Sequence, residues 1–204
     1  MTVSLLRIFS YILALAGVAS ILPFSIALIY NEYSAAWAFG VPMLSSIAFA
    51  LIIAFVYRHV ESKNLNIRGA FMAVGGSWIF LSLFGALPLY FSGAIPSITD
   101  AVFESVSGIT TTGATIIPDV EILPRSINVW RCEMHWLGGM GVLVFLLAIV
   151  PSAKKESGSG IFLMRAESPG PDVGKLVPKS ISTARILYGI YLGLTVLEII
   201  LLLI

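Results

Sequence analysis

"IPSITDAVFESVSGITTTGATIIPD", residues 95–119, decides how this chain folds. It is too broken to be one membrane-spanning helix and too apolar to be an ordinary exposed loop. Pro96 precedes Ser97, and Asp100 follows in an S-x-x-D helix start, where the acid also suits the positive end of a helix dipole. Apolar positions 98, 102, 106 and 109 then keep a helical stripe. A helix over 98–109, at about 1.5 Å per residue, is roughly 18 Å long, little more than half of a ~30 Å hydrocarbon core. It can enter a membrane but cannot cross. Thr110, Thr111 and Thr112 are β-branched and disfavour helix, and Gly113 accepts positive φ, so the helix is expected to end inside the membrane. Residues 110–117, if extended, reach at most about 26–29 Å, enough to return to the surface of origin, where Pro118 and Asp119 mark the exit.

Irregular backbone at that depth is tolerated only where it is buried in protein or lines a watery cavity. Carbonyls stacked along such a segment, with threonine hydroxyls beside them, can replace the water shell of a weakly hydrated monovalent cation, and the half-helix aims its negative end at the same place. The same residues also read as a polar turn between two short hydrophobic helices. Length and periodicity leave both readings open.

The rest of the chain is membrane-like: 58% hydrophobic, 11% charged, with mean hydropathy +0.97. Apolar stretches at 8–30, 36–57, 69–91, 136–150 (with a polar lead-in from about 129) and 181–204 are each near the ~20 residues a spanning helix needs. Five spans are expected. The first, although preceded by Arg7, is far longer than the ~7–15 residues of a signal-peptide core, and is read as retained. A lone cysteine, Cys132, excludes an intrachain disulfide and a multi-cysteine metal site. If the spans alternate, all of the 12 Lys and Arg except Arg125 and Arg131 fall on one side, with Glu32, Asp100, Glu104, Asp119 and Glu121 on the other. The positive-inside rule then places the N-terminus in the cytoplasm.

Residues 99–116, "TDAVFESVSGITTTGATI", resemble the first pore loop of the Trk/Ktr potassium-uptake family, in particular its TrkH/TrkG branch. Downstream, "WRCEMHWLGGMGVLVFLLAIVP" resembles the helix after that loop, and "FLMRAESPGP" the family's cytosolic linker; the two spans within 8–57 are similar to the TrkH branch rather than to the shorter Ktr type. The resemblance implies an all-α membrane protein, assembled in the complete transporter from four helix, pore-loop, helix units around one path. In this chain it implies a two-helix N-terminal membrane domain at 1–68 and a first unit at 69–150, with pore helix 97–109 and filter 110–114. A cytosolic linker at 151–180 and the outer helix of an incomplete second unit at 181–204 follow, so the chain reads as the N-terminal part of a longer transporter.

By the same resemblance the filter residues are Thr110, Thr111, Thr112 and Gly113, with K⁺ held at Thr111 and Thr112. Only one glycine stands here, against two in the TVGYG of K⁺ channels, so weaker discrimination between K⁺ and Na⁺ is expected. The implied function is K⁺ translocation in a Trk-type uptake system of a prokaryotic plasma membrane, the inner membrane in a Gram-negative cell, with Na⁺ or H⁺ as further candidate ions. Implied partners are the bilayer, the remaining pore units, a second copy in a homodimer, and a cytosolic nucleotide-binding regulatory subunit of the TrkA type; nucleic acid is not among them. No cofactor is implied beyond the transported ion. The alternative is a non-conducting membrane scaffold or assembly fragment, since one filter segment cannot encircle an ion.

Other polar residues carry two readings each. Asp100 and Glu104 could concentrate cations near the external mouth; equally, Asp100 serves as a helix-start acid and Glu104 as a structural bond to a neighbouring segment. Arg131 and His135 share a helix face that Glu133 does not. Histidine as a residue type ordinarily titrates near neutrality, which suggests a proton-coupling role at 135, but polar residues in the first turns of a span usually sit at headgroup depth, with Trp130 and Trp136 as belt residues. Gly138, Gly139 and Gly141 permit close approach of a neighbouring helix, and Glu198 lies within the last span. An enzyme is not expected: His59 and His135 are the two histidines and complete no catalytic triad or metal site. The linker also has no Walker-type phosphate loop.

Overall fold

A computed structural model of the chain describes residues 2–60, 67–139, 141 and 180–203. Every element among them is a helix: α1 (Thr2–Ala19), α2 (Ile21–Ile29), α3 (Tyr33–Val56), α4 (Ile67–Phe91), α5 (Ile98–Ile109), α6 (Arg125–Gly139) and α7 (Ser180–Leu203). Four stretches are long and apolar enough to cross a membrane: Val3–Ile29, Tyr33–Val56, Arg68–Phe91 and Arg185–Leu203. They correspond to the first, second, third and fifth expected spans. The fourth, 136–150, is described only at its start, and its remainder lies outside the described residues, as does nearly all of the linker 151–180.

The first span is two helices in one line. Ser20 joins them in helical geometry, with its N–H on the Ala16 carbonyl at 3.0 Å and the Phe24 N–H on its own carbonyl at 3.0 Å. Pro23 has no N–H to give back to the preceding turn, which accounts for the break. Asn31, at φ 57°, reverses the chain into α3.

α1 packs against α3 and α4, α4 carries α5, and α6 touches both α5 and α2. The fully buried side chains at the centre include Ile12, Phe39, Leu89, Ile127, Trp130 and Met134, so four different helices meet there. The buried Ser10, Ser46 and Ser77 return their hydroxyls to carbonyls of their own helices, and Ser20 does so to the Gly17 carbonyl at 2.7 Å. Trp130 corrects the sequence reading. It is 1% exposed, not a belt residue: its ring meets Phe39 edge-on, with centroids 5.8 Å apart, and its indole N–H donates to the Gly85 carbonyl at 3.0 Å. The core pulls it in because that buried carbonyl gives its one polar atom a partner.

Two contacts tie distant parts of the chain. The Arg7 guanidinium donates to the carbonyls of Tyr57 and Val60, the latter at 2.7 Å, where α3 ends. At the other end of the bundle the Glu32 carboxylate accepts from the backbone N–H of Arg125 at 2.8 Å and of Ser126 at 3.1 Å, and from the Ser126 hydroxyl. A carboxylate on free N–H groups at a helix start is favoured by both hydrogen bonding and the helix dipole. The Arg125 side chain lies over the Tyr30 ring, 4.3 Å from its centroid.

Candidate functional site

α5 begins with the cap that Ser97 and Asp100 announce: Ser97 is extended at φ −88°, ψ 125°, and its hydroxyl accepts from the Asp100 N–H at 3.4 Å. The helix is wedged between α4 and α6, and small residues set its depth. A Cβ at Gly85 would lie 2.4 Å from Ser105 Oγ, and one at Gly138 only 1.9 Å from the Ile109 carbonyl oxygen. The last carbonyl of α5 therefore abuts the backbone of α6. Gly139 meets α7 instead, its Cβ position being 2.5 Å from the Tyr191 hydroxyl.

The Thr-Thr-Thr-Gly stretch is not the uniformly extended limb read from the sequence. Thr110 and Thr111 form a turn that closes α5, with the Thr111 N–H on the Gly108 carbonyl and the Thr112 N–H on the Ser107 carbonyl, both at 3.0 Å. This is a Schellman closure, which satisfies carbonyls that a helix end leaves bare. Glycine usually occupies its left-handed position; here Thr111 does, at φ 57°. A β-branched residue is strained there, and such strain marks functional positions more often than neutral ones. Gly113 also has positive φ, 76°, and no atom lies within 4 Å of where its Cβ would be, so conformation rather than space asks for glycine. Thr110 has φ −81°, and Asn31 and Thr111 are the positive non-glycine residues among those described, so φ changes sign at every residue from 110 to 114.

Side chains hold this backbone. The Thr110 hydroxyl donates to the Val106 carbonyl at 2.7 Å and lies 2.8 Å from the Thr112 hydroxyl. Ser107 reaches across the turn to the Ala114 carbonyl at 2.5 Å. Residues 110–116 are exposed.

Glu104, by contrast, is 3% exposed. Its carboxylate receives Arg131 through Nε at 2.7 Å and Nη2 at 2.6 Å, the Thr115 hydroxyl at 3.0 and 3.1 Å, and the Ile116 N–H at 3.2 Å. Of its two sequence readings, the structural bond is therefore the one with atoms in contact, and the Arg131 cation cancels the charge that the mouth reading relies on. Asp100 lies one turn nearer the start of α5 and is half-buried. Arg131 is not at headgroup-type isolation either, since its Nη2 also donates to Thr115 at 3.3 Å. His135 Nδ1 lies 2.9 Å from the Arg131 carbonyl, and Trp136 faces α7, donating to Thr195 Oγ1 at 3.2 Å. Glu133 Oε2 is buried with no hydrogen-bond partner among the described residues. Glu198 is exposed on α7.

Thr115, Ser107 and Glu32 carried no sequence signal. Thr115 and Ser107 are ordinary polar residues whose partners lie across a turn, and Glu32 finds its helix start some ninety positions on. No group of His, Cys, Asp and Glu suited to a metal ion occurs among the described residues.

Apolar spanning helices around a half-length helix with a strained polar turn define a multi-pass, all-helical membrane protein. The cation transport protein family TrkH matches residues 42–204, and the chain belongs to that family. It is 39% identical over 195 residues to the Trk system potassium uptake protein TrkH of Halomonas elongata, covering 94% of this chain and 39% of that protein. It is 38% identical over 192 residues to TrkH of Escherichia coli K12, covering 93% and 39%. With the Trk system potassium uptake protein TrkI of H. elongata the identity is 32% over 193 residues, covering 95% and 38%. The chain thus spans about two fifths of the length of these curated relatives. The family is one of cation transporters, not of enzymes.

Proposed function

We propose that this chain carries one quarter of the pathway of a Trk-type potassium transporter, with the carbonyls of Thr110, Thr111, Thr112 and Gly113 contacting the ion and K⁺ held chiefly at Thr111 and Thr112. The observation that supports it best is the alternating sign of φ from 110 to 114, at the negative end of α5, in a chain whose relatives are named potassium uptake proteins. Backbone carbonyls presented by such a turn would replace the water shell of a dehydrated monovalent cation. The complete transporter supplies the other three units, works as a homodimer and docks a nucleotide-binding regulatory subunit on its cytosolic face. Asp100, at the external start of α5, draws cations toward the filter; Glu104 contributes there by holding the return limb.

The chain lies in a prokaryotic plasma membrane with its N-terminus in the cytoplasm. Arg7 bonded to the Tyr57 and Val60 carbonyls supports that orientation, because it brings the cations at 7 and 58 to one side, while Glu32 pairs with the start of α6 on the other. The deciding measurement is K⁺ and Na⁺ flux through the complete transporter carrying Gly113→Ser. The serine is strained at φ 76°, so K⁺ preference should fall; unchanged selectivity would remove the filter assignment. A non-conducting scaffold is the second reading, favoured by the single Thr-Gly loop in this chain. Growth of K⁺-uptake-deficient cells on low K⁺, rescued by the complete gene but not by residues 1–204, separates the two roles.

A further inference from the structure

We infer that Glu104, Arg131 and Thr115 form the positioning device that sets the selectivity of this unit, an inference that rests on the filter reading of residues 110–114. The stretch 110–114 hangs between two anchors. On one side, the Schellman closure fastens Thr111 and Thr112 to the carbonyls of Gly108 and Ser107. On the other, beyond the Ser107 bond to the Ala114 carbonyl, Thr115 and Ile116 are fastened to one buried carboxylate. That carboxylate is itself fixed by two Arg131 nitrogens from α6, so α5, the return limb and α6 meet at Glu104. Any shift of the carboxylate moves Thr115 and Ile116, and the carbonyls just before them move as well.

Two physical points favour positioning over bulk stabilisation. A buried ion pair adds little net stability compared with apolar residues of the same volume, so its presence calls for another reason. The geometry also asks for a carboxylate at 104 in particular, because only an acceptor there can take the Ile116 N–H and the Thr115 hydroxyl together with the guanidinium fork. An arginine at 104 could not. Charge matters too: with Glu104 neutralised, the Arg131 cation would stand unpaired beside a pathway for cations.

The test uses the complete transporter in liposomes, with K⁺ and Na⁺ KM and maximal flux measured per folded protein, as judged by a single size-exclusion peak. Thr115→Val removes one hydroxyl and little else, and should lower K⁺ over Na⁺ selectivity by about tenfold while leaving the amount of folded protein unchanged. Thr115→Ser should rescue the ratio. Arg131→Lys should lower it as well, because lysine keeps the charge but loses the fork. The exchange Glu104→Arg with Arg131→Glu should not restore it, since position 104 then lacks an acceptor. Unchanged selectivity in Thr115→Val and Arg131→Lys, in a system where Gly113→Ser does lower it, would overturn this inference and leave the filter reading standing. Restoration by the charge exchange would overturn it too, by reducing the site to a plain ion pair. Unchanged selectivity in Gly113→Ser removes the filter itself, and this inference with it.

Discussion

Two carboxylates hold α6, and they do it in opposite settings. Glu32, half-buried in the turn after α2, accepts from the first free N–H groups of the helix. Glu104, buried within α5, takes Arg131 from the next turns and also binds Thr115 and Ile116. Water can replace much of what Glu32 does, whereas nothing replaces Glu104. One acid therefore fastens a helix end, and the other fixes the shape of a loop.

The largest effect should come from Glu104→Ala, which leaves the Arg131 cation buried without a partner: a loss of about 3–5 kcal/mol is expected, read as a collapse of the folded peak in detergent on mild heating. A wild-type melting profile would erase the contrast between the two acids. Gly138→Ala probes the same joint sterically, because its Cβ would sit 1.9 Å from the Ile109 carbonyl oxygen. Backbone has to move there, so a cost of about 1–3 kcal/mol with reduced flux should follow. Glu32→Ala should cost about 1 kcal/mol, the usual worth of a helix N-cap, and leave K⁺ over Na⁺ selectivity unaltered in flux assays. A change in selectivity would mean that the N-terminal helices act on the proposed filter residues 110–113. The smallest expected change is a gain: Thr111→Gly relieves the left-handed strain and should stabilise the fold by about 1 kcal/mol or less, read as a slightly higher melting midpoint, and under the proposed filter assignment it should weaken K⁺ preference.

Much of the fold was legible because its signals are local. Spans show as apolar length, and the start of α5 shows in Ser97 and Asp100. The glycines at 138 and 139 were readable as sites of close approach, though not which neighbours they admit: the end of α5 for one, Tyr191 of α7 for the other. Two readings failed for want of distant information. Trp130 looks like a belt residue until the Gly85 carbonyl and Phe39 are brought beside it. Residues 110–117 look extended until the α5 carbonyls are seen to draw Thr111 and Thr112 into a turn.

By itself the sequence determined the membrane character, the half-length of α5 and the place where it ends, since each depends on residues a few positions apart. Tertiary structure alone decided what the charges do. Glu104 and Arg131 stand 27 positions apart and Glu32 and Arg125 stand 93 apart, and only helix packing turns an acid of unknown purpose into a helix cap in one place and a buried tie to Arg131, Thr115 and Ile116 in the other.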